Sequence, residues 1–129
     1  MIAAVLDASA LLALLLAEPS HDRLRAVLPD SAIATVNLGE VVAHFARNGA
    51  GEADIRRVLD PLPVERVPFD EELAYVAGML VTATKPAGLS FGDRACLALA
   101  RRLRVRALTA DRSWQSIAKP AKVEIDLIR

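Results

Sequence analysis

Short apolar runs alternate with longer segments of helical periodicity along the whole chain. Residues 2–6 are apolar and end at Asp7, which predicts a short buried strand. The Ala- and Leu-rich residues 8–17 that follow predict a helix, which Pro19 ends or redirects. The same alternation continues along the chain. Further strands are predicted at residues 31–35, 64–67, 105–109 and 122–128. Further helices are predicted at residues 21–28, 38–47, 52–59, from Asp70 to Lys85, at residues 90–103 and after Asp111.

This alternation of strands and helices predicts an α/β fold, with a central parallel sheet and helices on both of its faces. No internal repeat, linker or low-complexity segment interrupts the pattern, so residues 1–129 are predicted to form a single domain. In parallel sheets of this kind, ligands bind beyond the carboxyl ends of the strands. The residues that follow each strand are therefore the candidates for function.

Composition narrows the class of protein. The chain is 53% hydrophobic with a formal net charge of zero, and such a balance argues against tight nonspecific binding of nucleic acid. Cys96 is the only cysteine, which excludes an internal disulfide and a zinc site made of cysteines. The first apolar run lacks a basic start and contains Asp7, so neither a signal peptide nor a membrane span is expected, and a cytoplasmic location is predicted.

Four carboxylates lie where a strand or loop leads into a helix. Asp7 ends the first strand and Asp111 follows a later one, while Glu40 and Asp93 are predicted in the first turns of two helices. Because parallel strands end at the same edge of a sheet, these side chains are expected to converge. Close carboxylates repel one another unless a cation or a proton intervenes, and a set of hard oxygen ligands without His or Cys suits Mg²⁺ or Mn²⁺.

A purely structural role is the alternative for each of these acids. Asp is a good helix N-cap, and acidic residues are favoured in the first turn of a helix. The spacing from Asn37 to Glu40 resembles a capping box with Asn37 as the cap, and Ser90 and Asp93 have the same spacing. One such acid alone is better explained as a cap, so the argument for a metal depends on the four together.

Four segments together resemble a known family: VLDASALLALL, VNLGEV, LSFGDRACLALARRL and LTADRSW. In order and spacing they are similar to the motifs of PIN-domain ribonucleases, most of all the VapC toxins of bacterial toxin–antitoxin pairs. The resemblance spans residues 2–128 and implies a PIN-like three-layer α/β/α sandwich. It implies Asp7, Glu40, Asp93 and Asp111 as catalytic metal ligands, Mg²⁺ or Mn²⁺ as cofactor, and hydrolysis of RNA. It also implies a VapB-like antitoxin partner and a homodimer.

The same resemblance implies a supporting role for Ser9, Asn37 and Thr109, whose hydroxyl or amide groups would hold a carboxylate or a metal-bound water. Arg94 and Arg112, each next to a predicted acidic ligand, are the candidates for RNA contacts. The densest basic cluster comprises Arg101, Arg102, Arg104 and Arg106. Basic residues are favoured at helix C-termini, so a solvated helix end explains this cluster better than an RNA-binding role.

Other functions fit the sequence less well. A receiver domain or a haloacid-type phosphatase would need a second acid close after the first strand, where the sequence has Ala8 and Ser9. A DNA nuclease with the same four acids needs extra helices to grip a duplex. A binding module whose acids serve only as caps stays open, and titration with Mn²⁺ would distinguish it.

Overall fold

A computed structural model describes all 129 residues as five strands and eight α-helices joined by short 3₁₀ turns. The strands are β1 (Ala4–Leu6), β2 (Ser31–Ala34), β3 (Glu65–Val67), β4 (Arg106–Thr109) and β5 (Ile125–Leu127). The helices are α1 (Ala8–Leu15), α2 (His21–Val27), α3 (Thr35–Arg47), α4 (Glu52–Leu59), α5 (Glu71–Met79), α6 (Val81–Thr84), α7 (Phe91–Leu103) and α8 (Ala118–Ala121).

The sheet is entirely parallel, as predicted, with the strand order β3-β2-β1-β4-β5. β1 is the central strand and pairs with both β2 and β4, and Leu6 lies opposite Leu108 of β4. All five strands therefore end at one edge, which we call the carboxyl edge, and begin at the opposite amino edge. Asp7 follows the central strand at the carboxyl edge.

Two hydrophobic cores cover the two faces of the sheet. Because successive strand residues point to opposite faces, Val5 contributes to one core and Leu6 to the other. The first core packs α5 and α7 against the sheet and includes the fully buried Trp114. The second core packs α1 and α3 against the other face. The predicted three-layer α/β/α sandwich is confirmed.

Several element boundaries differ from the predictions. β1 begins at Ala4 instead of residue 2, and α1 ends at Leu15 because Ala17 adopts a positive φ of 53°. α3 begins at Thr35 and not at Leu38. The long helix predicted after Asp70 is divided at Leu80 into α5 and α6. No helix combines the length and the apolar character needed to cross a membrane.

The core makes a direct prediction for stability. Leu108 is 1% exposed in the second core, so Leu108→Ala should lower the free energy of unfolding by about 2–5 kcal/mol through lost burial and a cavity. Met79 is 79% exposed, so Met79→Ala should change it by less than about 0.5 kcal/mol. Urea denaturation measures both variants. Equal losses in the two would contradict the placement of β4 in the core.

Candidate functional site

Asp7 is 4% exposed at the carboxyl end of β1, and three donors hold its carboxylate. Oδ1 accepts hydrogen bonds from the Ser9 hydroxyl at 2.7 Å and from the Ala10 amide at 2.8 Å. Oδ2 accepts one from the Thr109 hydroxyl at 2.6 Å. The bond from Ala10 makes Asp7 the N-cap of α1. The same carboxylate thus starts a helix and is fixed to β4.

The two hydroxyls that hold Asp7 are themselves held by the chain segment after β4. Ser9 Oγ accepts a hydrogen bond from the Ala110 amide at 2.9 Å, and Thr109 Oγ1 accepts one from the Asp111 amide at 3.1 Å. Each hydroxyl can therefore direct its own proton toward Asp7. The supporting role expected of Ser9 and Thr109 toward a carboxylate corresponds to these contacts.

Burial raises the pKa of Asp7 from 3.8 to about 6. Desolvation is the main cause, and the negative charge of Asp93 adds to it, while the hydrogen bonds from Thr109, Ser9 and Ala10 act in the opposite direction. No cationic side chain stabilises the charged form. A bound cation would supply the missing positive charge.

Glu40 lies in the second turn of α3, since the helix begins at Thr35, and the expected first-turn position is wrong. Asn37 is accordingly not an N-cap. It is buried, and its amide nitrogen donates to Glu40 Oε1 at 2.8 Å and to the Gly92 carbonyl at 2.9 Å. Asn37 therefore joins α3 to the start of α7 and orients the Glu40 carboxylate.

Gly92 has a role that the sequence pattern did not reveal. A Cβ at this position would lie 2.7 Å from Glu40 Cδ, so a side chain there would displace the carboxylate. Gly92 is in the first turn of α7, where no unusual backbone conformation requires glycine. The sequence signal for this contact is a glycine inside a predicted helix, just before Asp93, because a glycine in such a position implies the close approach of another group.

Asp93 and Asp111 both serve as structural caps. Asp93 Oδ2 accepts from the Ser90 amide at 2.9 Å and completes a capping box at the start of α7, as predicted. Asp111 Oδ1 accepts from the amide and the hydroxyl of Ser113 and caps the 3₁₀ turn Arg112–Ile117. Each of these acids therefore has the local role that the structural alternative assigned to it.

The four carboxylates nevertheless differ from ordinary surface acids. None of them forms an ion pair. Glu40, Asp93 and Asp111 each use one carboxylate oxygen for a hydrogen bond within the chain and keep the other without a donor. Desolvation is the main cause that raises the pKa of the buried Cys96 thiol in α7, and the charges of Asp7, Asp93 and Glu40 add to it, so all three carboxylates act on the same side chain.

The donor set fits a hard divalent cation. It consists of carboxylate oxygens without a compensating charge, and the buried Asn37 Oδ1 has no hydrogen-bond partner. No three acidic, His or Cys side chains lie close enough together to bind one metal ion as they stand. Each of the four acids is turned toward its own hydrogen-bond donor. Glu40, Asp93 and Asp111 could hold the ion through their free oxygens, and Asp7 could do so through the second lone pair of Oδ2, which accepts a single hydrogen bond.

Of the two arginines suggested for RNA contacts, Arg94 is engaged within the fold. Its guanidinium donates to the Ala77 carbonyl at 3.1 Å and lies over the Phe91 ring, 5.2 Å from the centroid. Arg112 is exposed beside Asp111 and makes no side-chain hydrogen bond. An RNA contact by either residue stays a prediction. Trp114 packs in the core, so its ring is not available for stacking on a base.

The family model for the PIN domain matches residues 4–120. The chain belongs to the PIN-domain family. The match includes all four acids, and it confirms the family resemblance that the sequence motifs indicated. A comparison with curated proteins finds no match.

Solved structures share the fold of this PIN domain. A toxin–antitoxin complex from Klebsiella pneumoniae has a TM-score of 0.76 at 21% identity over 98% of both chains. DNA-bound VapBC from Salmonella typhimurium has a TM-score of 0.78 at 16% identity over 100% of both chains. VapBC-1 from nontypeable Haemophilus influenzae has a TM-score of 0.72 at 16% identity, over 99% of this chain and 98% of the other. At these identities the likeness shows the fold.

The raised pKa of Asp7 predicts how stability varies with pH in metal-free buffer. Between pH 3.8 and about 6 the folded PIN domain keeps a proton that the unfolded chain releases, so the free energy of unfolding falls as the pH rises. Asp7→Asn cannot titrate. The stability of the variant relative to wild type should therefore rise by about 2 kcal/mol from about pH 4 to about pH 7. Urea denaturation with EDTA measures this difference, and a difference independent of pH would contradict the buried, uncompensated charge.

Proposed function

We propose that this PIN domain is a metal-dependent endoribonuclease. The observation that supports the proposal is the group of unpaired carboxylates at the carboxyl edge, where Asp7 is buried without a cation. None of the four acids lines any of the five main clefts of the molecule. Small-molecule sites are concave and enclosed, so an open acidic surface is better suited to a polymer.

The proposed reaction is hydrolysis of an RNA phosphodiester. A water oxygen forms a bond to phosphorus, and the bond to the leaving ribose oxygen breaks as that oxygen takes up a proton. A bound Mg²⁺ or Mn²⁺ would supply a water of lowered pKa and neutralise charge on the phosphoryl oxygens. Asp7, Glu40, Asp93 and Asp111 would hold the ion, Ser9 and Thr109 keep Asp7 in place, and Asn37 orients Glu40.

We further propose that the protein is the toxin of a toxin–antitoxin pair in the cytoplasm and forms homodimers. Several structures with this fold are described as toxin–antitoxin or VapBC complexes, which supports a VapB-like antitoxin as partner. A groove of about 440 Å³ between α3 and α4 offers a surface for an apolar segment of such a partner. Its apolar lining includes Leu38, Val42, Ile55 and Leu59.

The reaction can be tested with a pair of matched variants. Asp7→Asn should reduce Mn²⁺-dependent cleavage of total cellular RNA by more than about 100-fold, beyond the loss typical of groups that only orient a ligand. Asp70 is also an N-cap aspartate, at the start of α5, so Asp70→Asn is the control and should cleave at nearly the wild-type rate. Sequencing of the cut ends measures both.

Two results would count against the nuclease. Cleavage by Asp7→Asn at the wild-type rate would exclude this site as its source. No cleavage by the wild type, together with no heat of Mn²⁺ binding in calorimetry, would favour the binding module in which the acids are only caps.

The contact between Gly92 and Glu40 predicts a second effect. Gly92→Ala should push the Glu40 carboxylate away from Asn37 and reduce cleavage by about 10- to 100-fold, since the displaced group would hold the ion poorly. Gly39→Ala is the control, because a Cβ at Gly39 meets nothing within 4 Å and alanine favours the helix. Cleavage rates measured at a Mn²⁺ concentration that half-saturates the wild type compare the two. Equal rates would show that the position of Glu40 is unimportant.

A further inference from the structure

A second charged feature lies at the opposite edge of the sheet. The basic cluster of the sequence is divided by the fold: Arg102 turns to Asp70 and forms hydrogen bonds of 2.7 and 3.0 Å with its carboxylate. Arg101, Arg104 and Arg106 instead line a cleft of about 320 Å³ at the amino edge. Lys122, which precedes β5, joins them, and Glu124 is the one acidic residue in the lining. We call this the amino-edge cleft.

Three of the four cations of the amino-edge cleft lack an acidic partner within the chain, and the fourth, Arg106, has only a long ion pair with Asp126. Arg101, Arg104 and Lys122 form no ion pair. Arg106 Nε is buried without a hydrogen bond, because Asp126 Oδ2 is 3.6 Å away and already accepts from Arg23 at 2.6 Å. Other arginines with a nearby carboxylate, such as Arg23 and Arg102, form hydrogen bonds with it directly. The cleft therefore concentrates uncompensated positive charge in a chain whose net charge is zero.

The backbone gives independent support. Arg104 and Lys122 both have a φ of 58°, in the left-handed region where glycine is favoured and a side chain costs conformational energy. They end α7 and α8, respectively, positions where glycine is the usual residue. Two long basic side chains therefore occupy costly positions on two separate elements and line the same cleft.

We propose that the amino-edge cleft binds a backbone phosphate of the RNA at a distance from the bond that is cleaved. This inference rests on the proposed function. α7 begins beside the acids and ends at the cleft, so its 13 residues separate the two by about 20 Å. At about 3.4 Å per stacked nucleotide, that distance corresponds to about six nucleotides. Arg101 also lines the neighbouring groove between α5 and α7, together with Ala98 and Arg102.

The experiment measures RNA binding by fluorescence anisotropy in the Asp7→Asn background, so that the probe is not cleaved. The probes are fluorescein-labelled single-stranded RNAs of mixed sequence, about four and about sixteen nucleotides long, of which only the longer spans both edges. Arg104→Gly with Lys122→Gly removes two charges and suits the positive φ at both positions. Arg25→Gln with Arg47→Gln removes two exposed charges elsewhere and is the matched control.

The glycine variant should bind the longer RNA about ten-fold more weakly at about 0.1 M salt, with the slope of log affinity against log salt reduced by about one to two. The shorter RNA, which can contact only one edge at a time, should lose less affinity than the longer RNA, and both affinities of the control should stay within about two-fold of the parent. Its melting temperature should be no lower than that of the parent, which separates a binding loss from unfolding. Arg101→Gln should show a smaller loss in the same direction.

Four outcomes would overturn the inference. Equal weakening for both RNA lengths would indicate a general loss of charge, and equal weakening by the control would indicate the same. If the glycine variant binds like the parent while wild-type protein cleaves RNA, the cleft has no role although the nuclease function stands. If the parent binds neither RNA and the wild type cleaves none, the inference and the proposed function fail together.

Discussion

The hydrogen bond from the Thr109 hydroxyl to Asp7 is the interaction on which the rest of the site depends. It joins the carboxyl ends of β1 and β4 at 2.6 Å and helps to hold a carboxylate that is almost fully buried. The three hydrogen bonds replace only part of the hydration that the carboxylate loses on burial, and its pKa therefore stays well above the ordinary value. The apolar segment around Asp7 therefore fixes the position of a charge that has no counterion in the chain, and the other acids lie around that position.

Capping and metal binding are compatible roles for these acids. Asp93 completes a capping box with one carboxylate oxygen and keeps the second without a donor, and Asp111 does the same at its 3₁₀ turn. A cap holds the side chain in one orientation at the start of a helix. The same hydrogen bonds that stabilise the helix starts thus hold Asp93 and Asp111 in fixed orientations at the carboxyl edge. Their capping contacts do not argue against a functional site.

The sequence was sufficient for the order of elements, the parallel sheet and the positions of Asp7, Asp93 and Asp111 at strand ends or helix starts, because these follow from periodicity and from strand ends. It was not sufficient for contacts between distant segments. The start of α3 at Thr35 moved Asn37 from a cap to a bridge between α3 and α7, and the approach of Glu40 to Gly92 depends on that bridge. The division of the basic cluster likewise depends on Asp70, a residue of another element. Local patterns do not contain such pairings.

The two edges of the sheet have opposite charge, with unpaired acids at the carboxyl edge and unpaired arginines at the amino edge. The central claim is that Asp7, Glu40, Asp93 and Asp111 together hold a divalent cation. Anomalous diffraction from crystals soaked in Mn²⁺ tests it most directly. The account predicts a manganese peak at the carboxyl edge, bound by oxygens from Asp7 and at least two of the other three acids. A well-diffracting, Mn²⁺-soaked crystal with no peak there, or with manganese only elsewhere, would contradict it.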